Sequence, residues 1–274
     1  MNYSELLEKA VLGTISAGEE VWRQYKEGFE TQVKKDNSPV TSADFAAHDI
    51  LSEHLSATNL PIISEEGEKF SHEERQSFDA YWMLDPIDGT RDFINKTDEF
   101  CICTGLIAGN TAKLGVLYAP ALNLFYFGAE GYSSRKIQAS VEELVALAKE
   151  KNILEALEKK SVFLPSFSPK GKYTFLTSRF HRDNGTDFYI KELKKEHPDL
   201  EVVTMGCAIK MGLIADRYAT EYTRFLPVNF WDVAAGHAIA KYAGRKVTGA
   251  NNDKEIDYSD KNMRVHGYSV KWND

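Results

Sequence analysis

The sequence predicts an α+β chain, and three observations predict it. Two stretches with helical spacing open the chain. Short segments of strand character then follow one another from Pro61 to Gly128, with turn signals at Gly109-Asn110 and Pro120. After Val141, helical and strand-like stretches alternate. A length of 274 residues suits one large domain or two closely joined subdomains, and 43% hydrophobic residues supply a core.

Taken in order, Tyr3 to Tyr25 carries Leu6, Leu7, Ala10, Val11, Ile15, Val21 and Trp22 near helical spacing. A polar loop, Lys34-Lys35-Asp36-Asn37-Ser38-Pro39, precedes a second helix that starts near Thr41 or Ser42, both good caps. Strands are expected at Pro61 to Ser64, Tyr81 to Asp85, Phe100 to Ala108, Lys113 to Tyr118 and Leu124 to Gly128, forming an antiparallel sheet backed by the two helices. Ser133 to Gln138 reads as a loop joining two subdomains, residues 1–135 and 136–274, which act as one catalytic unit. Beyond it come a helix from Val141 to Lys159, a strand from Tyr173 to Thr177 and a helix from Asp187 to Glu196. A strand from Val202 to Met205, a helix from Cys207 to Ala219, a short strand near Tyr222 and a helix from Phe230 to Ala243, stopped by Gly244, complete the pattern.

A net charge of −8 argues against nucleic acid or an anionic membrane as the main partner. A small anionic substrate stays admissible, because bound metal ions reverse the local field. No stretch reaches the roughly 18 apolar residues of a membrane span, and Met1-Asn2-Tyr3-Ser4-Glu5 lacks the form of a signal peptide. Cys101, Cys103 and Cys207 make neither a disulfide framework nor a CxxC pair, which reads as a reducing cytoplasm. Peripheral attachment at the inner membrane and the choice between monomer and homodimer stay open.

The chemistry concentrates in Trp82-Met83-Leu84-Asp85-Pro86-Ile87-Asp88-Gly89-Thr90. Two carboxylates around a proline, at a strand end, converge, and their repulsion is costly unless a cation sits between them. The ligands on offer are oxygens, which favours a hard ion such as Mg2+. Glu65 follows a strand and precedes Glu66-Gly67, and Asp232 opens an otherwise apolar helix where a buried carboxylate needs a strong partner. Singly, Asp232 reads as well as a helix cap, and Glu65 as a solvated turn residue. Cys101 and Cys103 share one strand face and read as small buried hydrophobes.

Asp85-Pro86-Ile87-Asp88-Gly89-Thr90 and Trp231-Asp232-Val233-Ala234-Ala235-Gly236 resemble the two signatures of the inositol monophosphatase superfamily of Mg2+-dependent, lithium-sensitive phosphatases. Within it, four further stretches resemble the CysQ-type 3′(2′),5′-bisphosphate nucleotidases of sulfur metabolism. They are Asn37-Ser38-Pro39-Val40-Thr41-Ser42-Ala43-Asp44, Ser178-Arg179-Phe180-His181, Gly206-Cys207-Ala208-Ile209-Lys210 and Tyr222-Thr223-Arg224-Phe225-Leu226-Pro227. Cys207 departs from the serine common in relatives, and a thiol donates more weakly than a hydroxyl.

The resemblance implies a layered α/β/α/β/α sandwich, the sugar-phosphatase fold, and two or three Mg2+ ions. One ion would be held by Glu65, Asp85 and the Ile87 carbonyl, a second by Asp85, Asp88 and Asp232, and a third, weaker one by Glu65 and Asp44. Thr90 would orient the attacking water, and the N–H groups of Gly89 and Thr90 would cradle the phosphate. Ser178, Arg179, His181, Lys210 and Arg224 would bind the rest of a bisphosphorylated nucleotide. The implied reaction removes the 3′-phosphate of 3′-phosphoadenosine 5′-phosphate by metal-activated water, giving AMP, with phosphoadenylyl sulfate as a second substrate. Such a reaction would clear an inhibitory by-product of sulfate assimilation or sulfotransfer. Two rivals stand beside this reading: an inositol monophosphatase sharing every metal ligand, and a silent relative that binds metal or nucleotide and regulates a partner.

Overall fold

The computed structural model describes residues 1–168 and 171–272. Helix α1 (Tyr3–Glu27) starts at Asn2, whose side chain accepts the Glu5 N–H. Hairpin strands β1 (Thr31–Val33) and β2 (Pro39–Thr41) lead into α2 (Ser42–Ser56). Asp44, in the first turn of α2, accepts from both the N–H and the hydroxyl of Thr41, so the carboxylate caps the helix. Strand β3 (Ile62–Ser64), a short helix α3 (His72–Gln76), β4 (Ala80–Asp88) and α4 (Thr90–Ile94) follow. Then come β5 (Cys101–Ala108), β6 (Thr111–Ala119), β7 (Leu124–Ala129) and β8 (Tyr132–Gln138).

Helices α5 (Val141–Leu147) and α6 (Ile153–Lys160) and strand β9 (Val162–Phe163) close the larger sheet, ordered β3-β4-β5-β6-β7-β8-β9. It is antiparallel except for the parallel pair β3–β4. The second sheet takes β10 (Thr174–Ser178), β11 (Glu201–Met205), β12 (Glu221–Arg224), β14 (Lys246–Gly249) and β16 (Tyr268–Lys271), in the order β11-β10-β12-β16-β14. Between these strands run α7 (Asn184–Glu196), α8 (Ile209–Ala215) and α9 (Trp231–Tyr242). A small pair, β13 (Val228–Asn229) and β15 (Arg264–Val265), sits just before α9 in space.

Alternation along the strands sorts the core into layers. Trp82, Leu84, Ile102, Leu106, Val116 and Phe127 face α1 and α2, while Tyr81, Met83, Ile107, Leu117 and Tyr126 face α8 and α9. Those two helices also cover the second sheet through Leu176, Tyr222, Val247 and Val270, and α7 packs Ile190 and Leu193 on its far side against Phe175. The result is the expected α/β/α/β/α sandwich. Helix α9 lies directly on β5 and β6 because Gly105 and Gly115 leave room: a Cβ on Gly115 would stand 2.0 Å from the Ala235 carbonyl oxygen.

Several expectations are corrected. Pro86 does not end β4. The strand continues to Asp88 through a bulge, with Asp85 opposite Cys103 and Asp88 opposite Cys101, and a bulge is a place where a strand tolerates proline. Residues 133–138, expected as a loop, belong to strand β8. The single helix expected from Val141 to Lys159 is two, since the Asn152 side chain accepts the Glu155 N–H and starts α6 afresh. The helix expected from Cys207 to Ala219 shrinks to Ile209–Ala215 because Cys207 (φ 41°) and Arg217 (φ 64°) adopt left-handed backbone.

Candidate metal centre and substrate cleft

The acidic pole forms where β3, β4 and α9 end. Two residues of β4, Pro86 and Ile87, oppose one of β5, Ile102, at the bulge, so Asp85 and Asp88 point to the same face although they are three positions apart. Glu65 follows β3, which runs parallel to β4, and Asp232 stands in the first turn of α9. One carboxylate oxygen from each of Glu65, Asp85 and Asp232 lies within 4.8 Å of the others. Asp88 Oδ2 accepts the Ala208 N–H, and Asp232 Oδ2 accepts the Asn229 N–H at 3.2 Å, so Asp232 caps its helix as well as joining the cluster.

Burial first, and then Glu65, Asp88 and Asp232, push the Asp85 carboxyl well above the usual carboxylate range. Asp88 is raised by burial, against Lys210, the Ala208 N–H and Arg224. Asp232 is pushed up to about 8 by burial, Asp88 and Glu65. A divalent ion fits this cluster. Asp85 Oδ1 is buried with no hydrogen-bond partner, and every side-chain donor in the set is a carboxylate oxygen. The Lys34 ammonium, from the β1–β2 hairpin, supplies part of the missing positive charge. It pairs with Glu65 at 2.8 Å and with Glu66.

Asp44 lies beside this trio. Its Oδ2 is taken by Thr41, and its Oδ1 faces the Thr90 hydroxyl at 3.5 Å. Burial raises its carboxyl to about 6. Thr90 Oγ1 also reaches the Ile87 carbonyl at 3.2 Å, and Gly89, at φ 92°, makes the turn that points it there.

The acidic pole floors a cleft of about 560 Å³ whose other wall is cationic, with Arg91, Arg179, Lys210, Arg224 and Arg264 along it. These cations are not equally available. Arg179 is held by Glu99 at 2.6 Å and by Asp92 at 3.4 Å, and Glu99 also accepts the Gly206 N–H. Lys210 is buried, and its ammonium donates to the carbonyls of Met205, Gly206 and Cys207, which uses all three of its protons. Arg224 makes one long hydrogen bond, to the Leu226 carbonyl at 3.4 Å. The Ser178 hydroxyl is 3.0 Å from the Tyr222 hydroxyl. Desolvation and the facing Arg224, Lys210 and Arg91 hold the His181 imidazole neutral, down to about 4.

The model of the inositol monophosphatase family matches residues 2–272. The chain belongs to that family. It is 36% identical over 228 residues to the 3′(2′),5′-bisphosphate nucleotidase CysQ of Shigella flexneri, covering 82% of each protein. It is 33% identical over 258 residues to the protein of the same name from Salmonella typhimurium, covering 93% of this chain and 94% of that one. Among solved structures, CysQ from Bacteroides thetaiotaomicron superposes with a TM-score of 0.90 at 32% identity, covering 98% of both chains.

In this inositol monophosphatase-family cleft, all thirteen residues singled out in the sequence except Asp44 line the cavity, and Asp44 touches it through Thr90. Sequence reasoning missed Lys34, Arg91 and Arg264. Arg264 sits on β15, a strand the sequence did not reveal, and Lys34 reaches Glu65 only once the hairpin folds back. The doublet Lys34-Lys35 before the Asp36-Asn37 turn was the one available signal. No helix among the described residues is long and apolar enough to cross a membrane.

Proposed function

We propose that the protein is a divalent-metal-dependent 3′(2′),5′-bisphosphate nucleotidase that hydrolyses the 3′-phosphate of 3′-phosphoadenosine 5′-phosphate to AMP and phosphate. The observation that carries this reading is the pairing, in one cleft, of the carboxylate cluster with a weakly partnered Arg224. A substrate with two phosphates needs both: a centre for the one that reacts and a cationic fork for the one that does not. The CysQ relatives, at 33–36% identity over most of the chain, support the same assignment.

Glu65, Asp85 and the Ile87 carbonyl would hold one Mg2+, Asp85, Asp88 and Asp232 a second, and Glu65 with Asp44 a weaker third. When bound, the ions lower the pKa of water and neutralise charge on the phosphoryl and leaving oxygens. Thr90 accepts a hydrogen bond from the attacking water and donates its own hydroxyl proton to a hydrogen bond with Asp44. Water adds to phosphorus in line and gives up its proton to solvent, the P–O3′ bond breaks, and the departing sugar oxygen takes a proton from solvent water. Lys210 and the Arg179–Glu99 pair fix the Met205–Cys207 segment that walls the cleft, and Arg224 grips the 5′-phosphate.

We further propose that residues 1–135 and 136–274 work as one unit in which the first part supplies most metal ligands and the second most substrate contacts. Three buried free thiols suit a reducing cytoplasm. The test compares Arg224→Ala with wild type on the bisphosphate nucleotide and on inositol monophosphate. The expected outcome is a KM for the nucleotide raised about 10- to 100-fold, the worth of a charged hydrogen-bonded pair, with inositol phosphate barely affected. Equal losses on both substrates would refute the nucleotide assignment.

A further inference from the structure

All three cysteines of the chain, Cys101, Cys103 and Cys207, gather beneath the acidic pole, and the hydrolysis described above uses none of them. Cys101 and Cys103 point to the same face of β5, with sulfurs 3.8 Å apart. Metal–thiolate bonds of about 2.3 Å meeting at the tetrahedral angle put two sulfurs about 3.8 Å apart, so this pair already stands at ligand spacing. The β4 bulge sets Asp88 directly across from Cys101, and one Asp88 oxygen and both sulfurs lie within 4.8 Å of one another. From the loop before α8, the buried Cys207 thiol lies beside Cys101. Cys207 also lines the cleft, which gives an ion a route in from solvent. Packing alone would be met by any small apolar side chain at each place and makes no demand for three sulfurs beside a carboxylate. A sulfur-rich set is a poor site for Mg2+ and a good one for a soft ion.

We propose that Asp88, Cys101 and Cys103, with Cys207 as the adjoining fourth ligand, form a site for a thiophilic divalent cation of the zinc and cadmium class, and that filling it blocks hydrolysis by drawing Asp88 out of the acidic cluster. Each coordinating thiol releases its proton to solvent, and no oxidant or reductant takes part. The inference goes beyond the phosphatase reading, and its first test is independent of it.

Metal-stripped protein is titrated with Cd2+, and the ultraviolet cadmium–thiolate charge-transfer absorption is recorded. The expected result is a band that saturates at one ion per chain and is lost in the Cys101→Ala/Cys103→Ala double variant. In a second arm, Mg2+-supported phosphate release is measured against Zn2+. The half-inhibiting concentration is expected to rise about tenfold or more in the double variant. Circular dichroism checks the fold, and Cys103→Ser alone replaces the double variant if that one is unfolded. Absence of a thiolate band in the wild type, a band that survives loss of the cysteines, or equal zinc inhibition of wild type and variant would overturn the proposal. A normal cadmium band in a protein that hydrolyses no phosphoester would leave this site standing and put the reaction at fault instead.

Discussion

Asp85 carries the sharpest conflict between stability and use. It is 1% exposed, has a partnerless oxygen, and is hemmed in by other carboxylates. At an effective dielectric near 20, two carboxylates about 4 Å apart repel by on the order of 4 kcal/mol, so the ionised metal-free cluster works against the fold. Asp85→Asn keeps the shape and removes the charge. We expect the metal-free variant to melt higher than wild type at alkaline pH, while kcat/KM falls on the order of 10³-fold, about 4 kcal/mol of lost transition-state stabilisation. Thermal melts and phosphate release check the two halves, and a variant that loses stability along with activity would mean that Asp85 is a structural residue.

At this scale the sequence told more about acids than about cations. Asp85 and Asp88 could be read because the chemistry and the strand end are local. The employment of Lys210 and Arg179 could not. Lys210 spends its protons on carbonyls three to five residues back, and Arg179 on Glu99 and Asp92 from the other half of the chain.

Among elements, the placement of α9 decides whether the centre exists, since Asp232 arrives on it. The helix is seated by Gly105 and Gly115, and a side chain at Gly115 would drive into the Ala235 backbone. Gly115→Ala is therefore expected to cost about 1–3 kcal/mol of stability through overpacking and to weaken Mg2+ binding by displacing Asp232. Denaturant melts and calorimetric Mg2+ titration measure both effects, and unchanged metal affinity in a destabilised variant would uncouple the helix from the site.

The long helices α1, α2 and α9 were legible from spacing and caps, because burial of one face fixes their period. The bulge in β4 was not, since it depends on how β5 pairs with it, and it is the feature that turns two carboxylates to one side. The break between α5 and α6 was missed because helix periodicity continues across it, while the Asn152 cap acts on a single N–H. Strands β14 to β16 were missed because they are short and lie in a polar stretch, and with them went Arg264.

For the whole molecule, the five layers place one carboxylate cluster where both sheets and the middle helix layer meet. Asp44, Asp85, Asp88 and Asp232, at and beside it, bind protons more tightly in the folded chain than in the unfolded one. The contribution of these raised carboxyls to the stability of the metal-free fold is thus full below about pH 4 and is lost as pH rises through the folded values, about 6 for Asp44 and about 8 for Asp232. Mg2+ binding to the ionised cluster is expected to raise the melting temperature more at pH 8 than at pH 5. Melts with and without Mg2+ across that range check this, and a metal-free protein that gains stability with rising pH would contradict it.

The most direct test of the central claim is phosphate release from 3′-phosphoadenosine 5′-phosphate by metal-stripped protein during Mg2+ titration, with AMP identified as product. The account predicts no turnover without metal and saturable recovery with it. Hydrolysis that proceeds at full rate in chelator, or no hydrolysis at saturating Mg2+, would contradict it.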